Sequence, residues 1–172
     1  MPIDRRTFVS AAGAAGLAIA TPAAAKPKDS SANLYAILLA IIAAAKRQDA
    51  DGILSHLSDD IVWQNSSGFA PAVVGKAQVR AAFESIFARV KDDNWRIFDY
   101  ACSADRLFME GVDEFIDREG TRVAIPYAGV LEFRGRLITK WREYYDGRLV
   151  ALAKTSGVPA SVDAMIDRTT AK

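Results

Sequence analysis

Leu107-Phe108-Met109-Glu110-Gly111-Val112-Asp113-Glu114-Phe115 alternates in a way that only an extended chain can use. Successive side chains of a strand point to opposite faces, so Leu107, Met109, Gly111, Asp113 and Phe115 share one face. Asp113 interrupts it. The same spacing recurs downstream, where Leu137, Thr139, Trp141, Glu143 and Tyr145 fall on one face and Lys140, Arg142 and Asp146 on the other. Four strands are predicted over 95–103, 107–117, 121–133 and 137–146, with turns at Arg118-Glu119-Gly120 and Arg134-Gly135. A further short strand, 61–65, offers Ile61, Trp63 and Asn65 to its inner face.

Upstream the apolar period changes to that of a helix. Leu34, Leu38, Ile41, Ile42 and Ala45 predict a helix over 33–47, capped by Ser30 or Ser31, and a short one follows over 51–57. The lone His56 reads as a half-exposed surface residue. Val79, Phe83, Ile86, Phe87 and Val90 form the stripe of a third helix over 76–90. Helices followed by an antiparallel meander indicate an α+β domain, with helices packed on one face of a curved sheet. A last helix over 148–154 closes the open end. One domain is expected over 26–157, with residues 158–172 as a flexible tail.

Of the 172 residues 51% are hydrophobic and 25% charged, with a net charge of +1, one cysteine and one histidine. That balance is too even to hold a polyphosphate backbone, so nucleic acid is not an expected partner. A single Cys102 excludes an intramolecular disulfide framework and a cysteine-rich metal site, and a single His56 makes a His-based metal cluster or a Ser-His-Asp triad hard to assemble. No cofactor or metal is expected. The chemistry left to the chain rests on carboxylates, amides and aromatics.

The first 25 residues read as an export signal. Asp4-Arg5-Arg6-Thr7-Phe8-Val9 precedes an Ala/Gly-rich apolar stretch, and Ala23-Ala24-Ala25 supplies a small-residue cleavage site. Paired arginines in this setting resemble the twin-arginine signal of proteins exported already folded. Cleavage leaves 20 basic and 20 acidic residues among 147. The expected product is periplasmic or secreted, with no stable membrane insertion, because the runs 11–20 and 34–45 are both shorter than the ~20 apolar residues of a crossing helix.

Two carboxylates, one amide and several aromatics therefore converge on one concavity. A desolvated carboxylate without a partner is costly, and the group can escape that cost by keeping a proton. Two carboxyls sharing a proton form a general acid and a general base. A register slip of one residue would reverse these faces, and an ion pair from Glu143 to a helix cation would account for that residue equally well. Gly111 marks a bulge or a close backbone approach that curves the sheet.

Val62-Trp63-Gln64-Asn65, Val74-Gly75-Lys76, Glu110-Gly111-Val112-Asp113 and the run Ile138 to Asp146 together resemble the limonene-1,2-epoxide hydrolase family, within the SnoaL-like and nuclear transport factor 2-like domains. The resemblance covers residues 31–152 and implies a cone-shaped, curved mixed sheet with the N-terminal helices packed over its concave face. In that family a tyrosine, an asparagine and an aspartate hold the attacking water, a second aspartate protonates the epoxide, and an arginine bridges the two acids. The resemblance places Asn65 and Asp113 at two of these positions. Trp63 stands for the tyrosine, Glu143 for the water-activating aspartate and Gly111 for the arginine. It implies Asp113, Glu143 and Asn65 as catalytic residues, with Trp63, Tyr127, Trp141, Tyr145, Met109 and Phe87 around an apolar small-molecule substrate. It also implies a homodimer, for which Phe108, Val112, Ile116 and Tyr144 are the outward apolar residues. A ketosteroid-isomerase reading fails because an amide at Asn65 cannot accept the proton. SnoaL-like cyclases stay open, as does a binding module without turnover, since the pocket survives where the arginine does not.

Overall fold

The computed structural model describes residues 28–65 and 67–168; the export signal expected at 1–25 lies outside them. The elements run α1 (Lys28–Lys46), α2 (Ala50–Leu54), β1 (Leu57–Asn65), β2 (Val73–Val74), α3 (Lys76–Phe87), β3 (Val90–Ser103), β4 (Arg106–Asp117), β5 (Arg122–Arg134), β6 (Leu137–Tyr145), α4 (Arg148–Ser156) and α5 (Ala160–Ile166). The strands form one sheet in the order β2-β1-β6-β5-β4-β3. Strands β3 to β6 make the antiparallel meander, and β1 joins it in parallel beside β6, matching Trp63 with Trp141 and Asn65 with Glu143. That pairing puts the inner residues of the first strand beside those of the last.

The core forms where α1 and α3 lie on the concave face. Leu38 and Ile41 of α1 and Val79 of α3 are fully buried with Leu107, Leu131 and Trp141 of the sheet. The apolar run of α1 is thus a core helix. No single helix among the described residues is long and apolar enough to cross a membrane. His56 sits in the turn after α2, half-buried as expected.

Several boundaries differ from expectation: α1 begins at Lys28, α2 is shorter than 51–57, and β1 begins at Leu57 in place of Ile61. Val90 does not end α3; Ala88 and Arg89 turn the chain, and Val90 opens β3 opposite Asp117. Pairing with β4 overrides the helical spacing there and adds Lys91 to Asn94 to the strand. The tail beyond Gly157 is not wholly unstructured: α5 lies on the outer face, where Val162 and Ile166 pack against Phe98, Val112 and Ala124. Arg122 ties it down through Asp163 at 2.7 Å, and Arg168 pairs with Glu110 at 2.6 Å. In consequence Val112, expected on an exposed dimer face, is completely buried, and Ile116 is half-buried. Phe108 and Tyr144 remain exposed.

Gly111 lies where β3 carries a bulge, the register slipping between Ile97 and Asp99. The extra residue, Phe98, turns to the outer core and bends the strand over the concavity. A Cβ at 111 would sit 2.1 Å from the Arg96 carbonyl oxygen, so only glycine fits. Gly111→Ala should cost about 2–3 kcal/mol through forced backbone separation. Thermal melting should fall by roughly 5–10 °C; an unchanged melting temperature would show that β3 yields freely there.

Candidate active site

Helix α3, the mouth of the sheet and α4 enclose a cavity of about 690 Å³. Its walls are aromatic. All three tryptophans of the chain line it. Trp63 stacks on Phe83 at 4.7 Å between ring centroids, and Trp95 stacks on Trp141 at 5.7 Å. Phe87 and Tyr127 complete the apolar wall. Of the residues expected here, Asp113, Glu143, Asn65, Trp63, Tyr127, Trp141, Tyr145 and Phe87 all reach the cavity. Met109 does not. Gly129, opposite it on β5, leaves a slot that Met109 fills from below, its Sδ 3.9 Å from the Tyr127 hydroxyl.

The two carboxyls differ in their surroundings. Glu143 accepts a hydrogen bond from the Trp63 indole N–H at 3.1 Å. The buried Trp141 N–H also favours its ionised form, yet closes no hydrogen bond of its own. Burial outweighs these donors and pushes the Glu143 pKa up to about 7. Asp113 makes no hydrogen bond among the described residues. Burial, then the charges of Asp93 and Glu143, raise it to about 8. At neutral pH the pair therefore holds a proton, and Asp113 is the better place for it. The cations on the wall, Arg89, Arg118 and Lys154, belong to turns and α4. Arg118 donates to the Phe87 and Ala88 carbonyls, and Lys154 pairs with Asp117 at 3.4 Å.

Asn65 stands beside Glu143 in the β1–β6 register. The Tyr145 hydroxyl donates to its main-chain carbonyl at 2.8 Å and lies 3.3 Å from its Oδ1. Ser67 fixes this end of β6: its Oγ accepts from the Tyr145 N–H at 2.8 Å and lies 2.9 Å from the Tyr145 carbonyl. A tyrosine hydroxyl thus adjoins the asparagine, although it comes from β6 and not from the Trp63 position.

Among the lining residues that the sequence analysis did not assign to the site, Asp93 and Trp95 bear most on its chemistry. Asp93 and Trp95 enter from the start of β3, where Trp95 faces Asp113 across the ladder and donates its indole N–H to Tyr127. The signal was the strand parity of Asp93, Trp95 and Ile97, hidden by the charged run before it.

A family profile described as the SnoaL-like domain matches residues 38–141, which takes in α3, β3 to β5 and the first half of β6, and stops short of Glu143 and Tyr145. The chain belongs to the SnoaL-like family. No curated protein matches it. Among solved structures, an LEH-like epoxide hydrolase of M. tuberculosis is 24% identical, with a TM-score of 0.64 over 73% of this chain and 92% of that one. A ketosteroid isomerase-like-fold protein from Catenulispora acidiphila, solved with trimethylamine, is 22% identical, with a TM-score of 0.63 over 73% and 95%. An NTF2-like protein of unknown function from Burkholderia pseudomallei is 16% identical, with a TM-score of 0.64 over 72% and 98%. At these identities the likeness is one of fold: this SnoaL-like chain has an NTF2-like α+β fold.

Proposed function

We propose that this SnoaL-like protein is an exported enzyme that adds water to an apolar epoxide. The observation that supports this most is the unequal carboxyl pair: Glu143 held by the Trp63 N–H, and Asp113 desolvated without a donor, in one aromatic cavity. Glu143 as carboxylate takes a proton from water, the water oxygen bonds to an epoxide carbon, and the carbon–oxygen bond breaks. Asp113 gives its proton to the departing oxygen. The diol leaves Glu143 protonated and Asp113 ionised, and a proton returned through water resets the pair. Asn65 and the Tyr145 hydroxyl orient the attacking water, the hydroxyl supplying the acceptor that Trp63 lacks.

Incubation with a panel of apolar epoxides and detection of diols by mass spectrometry tests this. Stereodefined diol formation is the expected result. Tight binding of apolar ligands without any diol would favour a binding module, a reading that the lack of a cation at Gly111 also supports. Export is part of the proposal. Arg5-Arg6 and Ala23-Ala24-Ala25 place the mature N-terminus at or near Lys26, and N-terminal sequencing of exported protein should find it there. An intact Met1 on exported material would overturn it.

A further inference from the structure

The cavity holds a third carboxyl that the hydrolytic scheme does not use. Asp93 is half-buried on the wall of the cavity, one of its oxygens shielded from solvent and without a hydrogen-bond partner. It pairs with Phe115 in the β3–β4 ladder, and Trp95 pairs with Asp113. Asp93 and Asp113 are therefore diagonal neighbours on the inner face, a relation that places such residues about 7–8 Å apart. The next residue, Asp92, is exposed to solvent.

We infer that Asp93 is a positioning residue for the acid: its carboxylate keeps the proton on Asp113. This rests on the reading of Asp113 as the proton donor. Two like charges in a poorly solvated cavity do not ionise together, and the one that ionises second stays neutral at higher pH. Burial raises the Asp93 pKa above its usual value, but the Trp95 main-chain N–H opposes this and Lys46 offsets the charge of Asp92, so Asp93 ionises before Asp113. Asp113 has neither aid. Among the described residues no cation lowers the Asp113 pKa. Tyr127 and Tyr145 are neutral, with pKa values raised by burial. Phe83 and Phe87 of α3 are apolar; Arg89, Arg118 and Glu119 of the turns share the cavity wall, Arg118 being held by the Phe87 and Ala88 carbonyls, and Lys154 of α4 is engaged by Asp117. Glu143 remains as the second like charge. Three carboxyls thus divide the work: Asp93 charged, Asp113 neutral, Glu143 poised between.

The test is a carboxyl titration by NMR on protein labelled with 13C at aspartate, with no substrate present. Asp93→Asn should lower the Asp113 midpoint by about one pH unit, because one neighbouring charge is removed at this separation. Asp93→Glu, which keeps the charge, should leave it high, and Asp92→Asn should leave it unmoved. An unchanged midpoint in Asp93→Asn overturns the inference. So does an equal fall in Asp93→Glu, which would mean altered packing, or in Asp92→Asn, which would mean a long-range charge effect. If diol formation is absent yet the midpoint falls as expected, the hydrolytic reading fails while the hold of Asp93 on the Asp113 proton stands. With an active enzyme, the alkaline limb of the pH profile should move down by the same amount in Asp93→Asn.

Discussion

Replacing Glu143 by Gln is expected to lower kcat for epoxide hydrolysis by about 10²–10⁴-fold, the usual worth of a positioned general base. Gln keeps the shape of the side chain and can still accept from the Trp63 N–H, so the cavity should remain intact. It cannot take a proton from water. Asp113→Asn should lose a similar factor by removing the proton given to the leaving oxygen. The double variant should be little worse than either single one, because the two groups act in one step. Apolar ligands should bind all three variants within a few-fold of the wild type, read by quenching of Trp63, Trp95 and Trp141 fluorescence. Retention of a tenth or more of wild-type kcat in either single variant would remove that carboxyl from the chemistry.

Asp113→Asn should also stabilise the protein, and by an amount that depends on pH. An aspartate in the unfolded chain titrates near 4, whereas Asp113 in the fold titrates at about 8. Between these values the native state holds a proton that the unfolded chain has lost. Unfolding therefore releases a proton, and native stability falls as pH rises through this window. Asparagine carries no such penalty. The melting-temperature gap between variant and wild type should be small near pH 4, widen up to about pH 8 and then level off. Its full size is on the order of 2–3 kcal/mol, or roughly 5–10 °C for a domain of this length. A gap of the opposite sign at pH 9 would show an ionised Asp113 held by favourable contacts. Glu143 adds a smaller effect of the same sign, ending near its own value of about 7.

The residues that carry these effects were legible in the sequence because strand parity is strict. Asp113 and Glu143 each interrupt an apolar inner face, and the structure turns both into the cavity. Asn65, Trp63, Trp141 and Tyr145 follow from the same alternation. The β1–β6 pairing that sets Asn65 beside Glu143 is parallel and distant in sequence, so local pattern cannot reveal it. Asp93 was hidden for two reasons. Lys91-Asp92-Asp93-Asn94 looks like a solvated loop, and β3 is bulged at both Val90–Asp92 and Ile97–Asp99, which breaks a period-2 pattern. After the second bulge the inner face passes from Asp93, Trp95 and Ile97 to Tyr100 and Cys102, where Tyr100 stacks on Tyr35 of α1 at 3.8 Å.

Depth is harder to read than face. Met109 was placed on the correct face, but the slot beneath Gly129 draws it out of the cavity. Helix α5 is short and follows Gly157 and Pro159, which end patterns. Its only signal is the i, i+4 pair Val162 and Ile166, and what completes it is the outer face of β4 and β5. The absence of a cation at Gly111 was plain in the sequence, whereas its cause was not. The carbonyl of Arg96 occupies the space where any side chain would start.

The unequal carboxyl pair is tested most directly by following the side-chain carboxyl resonances of Asp113 and Glu143 in the wild-type protein from pH 3 to pH 10. The two are coupled, so apparent midpoints belong to the pair. They are expected near 7 and 8, with the higher one dominated by Asp113. Both groups titrating near the ordinary carboxylate value of about 4 would contradict the shared proton and leave the cavity without an acid.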